Sequence, residues 1–271
     1  MARDLAVGIA GLGTIGGALA RLIASGGIPG QRLAAVGVRS PGKAASVLSS
    51  PPADLVVTDL AGLAAHCDVV VECAPARVFE HSAGPAVEAG RILVPASVGA
   101  LLGCMHLVDR AAETGARIII PTGALIGLDA VRAAAEGVIE SVTIETRKPP
   151  GGLEGAPHLV RNAISVAGLT EAKLVFSGTA REGATGFPAN VNVAAALGLA
   201  GIGPDRTMLQ VWADPAVTRN THTITVESDS ARFTMTIENI PTEQNPRTGR
   251  ITAQSMVAAL RRLTAPLVAG S

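Results

Sequence analysis

The sequence predicts an α/β fold, a doubly wound parallel sheet joined to a second, α+β domain. Three observations carry that expectation. An uncharged β-type run, Val7-Gly8-Ile9-Ala10, leads straight into Gly11-Leu12-Gly13-Thr14-Ile15-Gly16, and a helix-compatible segment follows at once. Strand-like and helix-like stretches then alternate with short connections as far as Pro121. Beyond Pro121 the texture changes to segments that alternate apolar and polar residues, as strands with one solvated or ligand-facing side do.

In the first half, strands are expected over 5–10, 33–38, 54–57, 68–73, 92–95 and 117–121. Helices fill 14–25, 41–48, 78–89 and 101–114. In the second half, strands are expected over 138–147, 173–177, 207–213, 221–228 and 232–240, and the close spacing of the last three suggests an antiparallel meander. An amphipathic helix over 252–263 follows Asn245-Pro246 and is placed to pack back onto the first domain. The expected division is therefore 1–122 plus 241–271 for a dinucleotide-binding domain of Rossmann type, and 123–240 for the second domain.

Composition bounds the partners. In 271 residues, Lys+Arg and Asp+Glu are both 22, so the net charge is zero and no nucleic-acid or anionic-membrane partner is expected. Cys67, Cys73 and Cys104 are odd in number and lack Cys-x-x-Cys spacing, which argues for reduced thiols, with neither a disulfide framework nor a metal site. The uncharged stretch 5–20, preceded by Arg3 and containing Ala18-Leu19-Ala20, has the outline of a secretory signal. A secretory core is usually built from leucines, however, and not from glycines spaced as a phosphate loop. No other segment approaches the ~18 apolar residues of a membrane span, so a soluble, cytoplasmic chain is expected.

The glycine spacing has a chemical meaning. Gly11 permits a tight turn, Gly13 lets backbone approach a pyrophosphate, and Gly16 lets the helix pack close to the strand. The phosphates would then meet the N–H groups of Thr14 and Ile15 at a helix N-terminus, where the dipole favours negative charge. Selectivity for NAD usually places Asp or Glu at the end of the second strand. Here Arg39-Ser40 stands at that point, with Lys43 one turn on. A guanidinium and a hydroxyl suit a 2′-phosphate, which favours NADP with NAD also accepted.

Longer motifs carry a family resemblance. Glu72-Cys73-Ala74-Pro75, Pro95-Ala96-Ser97-Val98-Gly99-Ala100 and Pro121-Thr122-Gly123-Ala124-Leu125-Ile126-Gly127 lie in the first half and just past it. Phe176-Ser177-Gly178-Thr179-Ala180-Arg181-Glu182 and Phe187-Pro188-Ala189-Asn190-Val191-Asn192-Val193-Ala194 follow. Ala213-Asp214-Pro215, Asn220-Thr221-His222 and Asn245-Pro246-Arg247-Thr248 complete the set. On these, the chain resembles the L-aspartate dehydrogenase family from end to end.

That resemblance implies oxidative deamination of L-aspartate to iminoaspartate, or the reverse amination of oxaloacetate with ammonia, using NAD or NADP. It further implies a homodimer, a second domain serving substrate binding and dimerisation, and an active site in the cleft between domains. It places the nicotinamide at Ala124 and Asn190 and assigns catalysis to His222. Ala74 and Pro75, after another strand end, are candidates to line the same crevice.

The residues themselves are compatible with those roles. Addition of water to an imine needs a proton carrier near neutral pH, which an unperturbed histidine supplies. Alternation along Thr221-His222-Thr223-Ile224-Thr225-Val226 puts His222 on the face of Ile224 and Val226. A core-edge histidine would show the same pattern, and Asn190 after Pro188 could equally be a helix cap. His66, His81, His106 and His158 lack such context and are expected to be structural or solvated. A dicarboxylate needs cations, and Arg147, Lys148, Arg161, Arg181, Arg219 and Arg247 are all candidates. Two other functions remain open on residues alone: an oxidoreductase of dihydrodipicolinate or homoserine type, and a dinucleotide sensor that does no chemistry.

Overall fold

The computed structural model describes residues 3–187, 191–242 and 249–270. The chain divides into two units, Met1–Pro121 with Ala253–Val268, and Thr122–Thr252 with Ala269–Ser271.

The first unit is built on a parallel sheet of β1 (Leu5–Ala10), β2 (Gln31–Gly37), β3 (Val56–Thr58), β4 (Val69–Glu72), β5 (Ile92–Pro95) and β6 (Arg117–Ile118), in the spatial order β3-β2-β1-β4-β5-β6. Its helices are α1 (Thr14–Ala24), α2 (Gly42–Val47), α3 (Glu80–Glu88), α4 (Val98–Leu101) and α5 (His106–Thr114). The order reverses direction between β1 and β4, the switch point at which open α/β sheets bind ligands beyond their carboxyl ends. Strands buried on both faces read as unbroken apolar runs, and Val69, Val70 and Val71 are fully buried. Most boundaries shift by one or two residues, and two elements differ more. The helix expected over 101–114 is two helices, broken around Leu102-Gly103-Cys104, where glycine weakens helix continuity. The sixth strand stops at Ile118, well short of Pro121.

In the second unit the strands are β7 (Ile139–Lys148), β8 (Lys173–Thr179), β9 (Thr207–Ala213), β10 (Asn220–Ser228) and β11 (Arg232–Asn239). Their order is β11-β10-β7-β9-β8. The expected meander is therefore only half right. β10 and β11 do form an antiparallel pair, but β7 lies between β10 and β9 and runs parallel to β9. Close spacing along the chain gave no sign of this insertion, because β7 comes from some sixty residues upstream (Thr146 against Val211).

The helices here are α6 (Leu128–Ala135), α7 (Pro157–Arg161), α8 (Ala180–Gly186) and α9 (Asn192–Ala200). The sequence reading omitted α6, α7 and α8. α8 carried a readable signal: Thr179 accepts from the Glu182 N–H while the Glu182 carboxylate accepts from the Thr179 N–H, a capping box.

The last helix, α10 (Arg250–Arg262), supplies Met256, Ala259 and Leu260 to the apolar core of the first unit, against Val7, Leu19, Leu33 and Val69. Gln31 at the head of β2 donates its side-chain amide to the Leu260 carbonyl. Among the described residues no helix is long and apolar enough to cross a membrane.

Candidate active site

In the first unit, a candidate binding site lies at the carboxyl ends of β1, β2 and β4. Gly11 has φ +89°, and a Cβ there would stand 2.9 Å from the Cys73 carbonyl oxygen and 3.0 Å from the Ala74 Cα. The turn is thus left-handed and jammed against the end of β4, which only glycine allows. Gly16 needs the same absence of side chain, since a Cβ would collide with the Gly11 carbonyl. At Gly13 the reason is different: nothing lies within 4 Å of where its Cβ would be. The space is open, as a close-approaching ligand requires.

α1 starts at Thr14, without a side-chain cap and without an acidic residue in its first turn. The N–H groups of its first turn, Thr14 and Ile15 included, are therefore not screened by a carboxylate, and the fit to a pyrophosphate is good. The Gly11 N–H donates to the Gly37 carbonyl at 2.9 Å, which fixes the loop beside the end of β2. Arg39 and Ser40 follow two and three residues later and are exposed, as is Lys43. Ala74 is buried against the Gly11 turn, while Pro75 is exposed.

Glu72, the last residue of β4, opens the Glu72-Cys73-Ala74-Pro75 motif, and nothing in the sequence assigns it a role. It is fully buried. The Ser97 N–H donates to Oε2 at 3.0 Å and the Ser97 hydroxyl to Oε1 at 3.2 Å. Burial pushes its carboxyl up to about 7, against the lowering effect of those hydrogen bonds. Ser97 also reaches the Ala74 carbonyl at 3.2 Å, so one hydroxyl braces the ends of β4 and β5 together.

The second unit has its own cluster of candidate residues, at the end of the sheet where β7 and β9 finish and β10 begins. His222 stands opposite Thr146 in the β10–β7 register. Its Nδ1 and the Thr146 hydroxyl are 3.0 Å apart, and both residues are buried. Ile224 and Val226 are fully buried on the same face of β10, as alternation predicts. The ring is therefore well oriented.

Its ionisation differs from the expected near-neutral value. Burial, and then the positive charge of Lys148, push the imidazole down to about 3. Near neutral pH His222 is therefore a neutral base, not a half-charged shuttle.

Ala124 sits in a turn after Gly123, and its carbonyl accepts the Asn239 side-chain amide at 3.1 Å. Asn239 pairs with Asn220, two residues before His222, so it occupies the same face and the same end of the sheet. It is buried, and its Oδ1 has no partner among the described residues. The sequence reading missed Asn239, and no motif marked it. Asn190 lies outside the described residues, as do Pro188, Ala189 and the Asn245-Pro246-Arg247-Thr248 motif.

The candidate cations separate clearly. Arg147 is tied to Glu145 at 2.7 Å and to Asp214 at 2.9 Å, and stacks on Trp212. Arg181 pairs with Asp205. Arg161 and Arg219 are exposed. Lys148 alone among the described candidates is buried on the face of Thr146 and His222. Of the remaining histidines, His66 and His81 are exposed, His106 pairs with Glu80 at 3.3 Å, and the His158 ring packs against Phe176 and Phe187. Among the described residues no group of His, Cys, Asp and Glu is arranged to hold a metal ion.

Similarity to known proteins agrees with this geometry. Residues 129–263 match the model of the aspartate dehydrogenase C-terminal domain, and residues 11–121 match that of the homoserine dehydrogenase NAD-binding domain. An L-aspartate dehydrogenase 3 of Bordetella bronchiseptica is 54% identical over 99% of this chain and 98% of its own length. An L-aspartate dehydrogenase of Bradyrhizobium diazoefficiens is 54% identical over 99% and 95%.

Among solved structures, an aspartate dehydrogenase from Thermotoga maritima superposes with a TM-score of 0.76 at 24% identity, covering 99% of this chain and 100% of that one. A homoserine dehydrogenase from Thiobacillus denitrificans gives 0.60 at 16% identity, over 97% and 75%. These two likenesses speak to the fold: a Rossmann-type parallel sheet followed by a second sheet domain. By sequence, the chain belongs to the L-aspartate dehydrogenase family.

Proposed function

We propose that this chain is an NAD(P)-dependent L-aspartate dehydrogenase that interconverts L-aspartate with oxaloacetate and ammonia. The observation that carries the reading is the buried His222 imidazole, held by Thr146 at the same sheet end as Ala124 and Lys148. A dinucleotide held at the Gly11–Gly16 turn would supply the hydride acceptor. Once the substrate ammonium has released a proton to solvent, loss of hydride from the α-carbon leaves an iminium ion. Water adds to its carbon, and the departing proton passes to neutral His222. The resulting carbinolamine collapses to ketone and ammonia, as His222 gives that proton to the leaving nitrogen and takes one from the hydroxyl. A sensor would have no use for such a base.

His222 is proposed as the catalytic residue. Gly11, Gly13, Thr14, Ile15, Gly16, Arg39, Ser40, Ala74, Pro75, Ala124 and Asn190 are proposed to contact the cofactor. A cytoplasmic homodimer acting on a small molecule is proposed on the family resemblance, and the zero net charge fits the expectation of no nucleic-acid or anionic-membrane partner. The deciding experiment follows NAD(P) reduction at 340 nm with a panel of amino acids, and oxidation with oxaloacetate plus ammonium. L-Aspartate is expected to be the preferred amino acid. Cofactor binding without turnover of either pair would favour the sensor.

A further inference from the structure

Ser97 is the N-cap residue of α4, and a serine there usually turns its oxygen to the N–H groups of its own helix. Here it makes no such bond. Its hydroxyl lies 3.2 Å from two acceptors instead, Oε1 of Glu72 and the Ala74 carbonyl oxygen. A hydroxyl has one proton to donate and two lone pairs that accept. Donating to both neighbours would take two protons, and the Ala74 carbonyl has none to give. An acid proton on Glu72 completes the relay: Glu72 donates to Ser97 Oγ, and Ser97 donates to Ala74.

The surroundings agree. Glu72 is fully buried, and burial pushes its carboxyl up to about 7. Arg21 of α1 and Glu80, His81 and Glu88 of α3 are exposed, and Asp68 is held by Arg3 at the opposite end of β4. Cys73 is the ionisable group coupled to Glu72, and burial keeps its thiol neutral. A carboxylate buried without a cation is costly, so the neutral acid is the favoured form. Glu72 also stands at a sensitive place. It pairs with Ala10, the residue before Gly11, in the β1–β4 register. The Ala74 Cα lies 3.0 Å from where a Gly11 Cβ would be.

We propose that Glu72 is a positioning residue for the dinucleotide, a neutral acid whose proton lets Ser97 hold the Ala74 carbonyl and so keeps Ala74-Pro75 against the Gly11 turn. The inference rests on the reading of Gly11–Gly16 as the dinucleotide site. Loss of the proton to solvent has two effects of the same sign. The Ser97 hydroxyl turns to the carboxylate and leaves Ala74, and a buried negative charge appears beside the turn that receives the pyrophosphate.

The test titrates NADH, which has no 2′-phosphate to ionise, and reads nicotinamide fluorescence. In the unaltered chain affinity should fall by about fivefold or more between about pH 6 and about pH 8.5. Glu72→Gln, whose amide can donate to Ser97 in place of the acid, should hold the low-pH affinity across that range. Glu72→Leu and Ser97→Ala break the relay and should bind NADH about fivefold more weakly even at the acid end. In cofactor-free protein carrying 13C-labelled glutamate, one carboxyl should still be protonated at about pH 6, and its signal should be missing from Glu72→Gln. A Glu72 carboxyl ionised at that pH overturns the proposal, as does a Glu72→Gln affinity that falls with pH like that of the unaltered chain. Should Glu72→Leu not fold, the Gln variant and the carboxyl signal decide. If the unaltered chain binds no NADH at any pH, the dinucleotide reading falls and takes the positioning role with it, whereas the carboxyl signal alone still shows where the proton sits.

Discussion

The Asn239 side chain donates to the Ala124 carbonyl at 3.1 Å, joining the end of β11 to a turn 115 residues earlier in the chain. That bond orients the amide and leaves Oδ1 buried without a partner among the described residues. Asn239→Ala should therefore free the Ala124 turn. The Ala124 carbonyl is half-buried, so losing its donor should cost about 1 kcal/mol, the low end of the range for an unsatisfied group, and urea unfolding should show a loss of about that size. kcat/KM for L-aspartate should fall by about tenfold. Unchanged kinetics with lowered stability would make the bond purely architectural.

The glycines of the fingerprint should separate by mechanism. Gly16→Ala forces a methyl group into the Gly11 carbonyl, so both stability and cofactor affinity should drop. At Gly13 the methyl group meets open space. Gly13→Ala should fold normally and lose affinity for NAD and NADP alike. Calorimetry for stability and fluorescence titration for cofactor would show the contrast, and equal stability losses in the two variants would contradict it.

Arg39 stands exposed just past β2, beside the strand end that holds Gly11. Arg39→Asp should weaken NADP selectively by repelling its 2′-phosphate. One lost charge-assisted contact is worth ~1.5–3 kcal/mol, about ten- to a hundred-fold in affinity. NAD use should be nearly intact or improved. An unchanged ratio of the two cofactors would show that the guanidinium points away from the ribose.

Much of the first unit was legible because its determinants are local. The run into Gly11, the glycine spacing and the short β–α connections each constrain neighbours in sequence, and β1 and β5 fall on the expected residues. The second unit was less legible. Alternation located His222 and its buried face, yet no local signal told that β7 would enter between β10 and β9. Ionisation was illegible for the same reason. The charge that depresses His222 sits 74 residues away, and a proton affinity set by burial is invisible until strands are paired.

His222→Ala should lower turnover by roughly two to four powers of ten, the range general acid–base catalysis supplies. Cofactor affinity should change little, since the phosphates are assigned to the Gly11–Gly16 turn. Thr146→Val removes the ring's 3.0 Å partner and should give a smaller loss in the same direction. In the unaltered enzyme kcat/KM reports free-enzyme ionisations. With the imidazole held down to about 3, its acid limb should show no His222 inflection near 6.5. A clear inflection there that vanishes in His222→Ala would mean the ring is more solvated than its burial indicates.

Glu72 should make the stability of the chain fall as pH rises. Its carboxyl is raised from 4.5 to about 7 in the folded chain, so the native state binds the proton more tightly than the unfolded one. The stabilisation is complete below the unfolded value and is lost as pH climbs through 7, a total of about 3 kcal/mol by linkage. His222 acts with the opposite sign. Its folded value lies below the ordinary 6.5, so its contribution is complete above 6.5 and is lost as pH falls towards about 3. The two slopes oppose each other between pH 4.5 and 6.5, which hides both in the unaltered protein. Glu72→Gln removes one of them. Its amide oxygen can accept from the Ser97 N–H, and its NH2 can donate to the Ser97 hydroxyl, which stays free to donate to the Ala74 carbonyl. The variant should match the parent near pH 5 and exceed it by ~1–3 kcal/mol at pH 8. Urea titrations across that range give the difference directly, and parallel stability curves would show that Glu72 is ionised throughout.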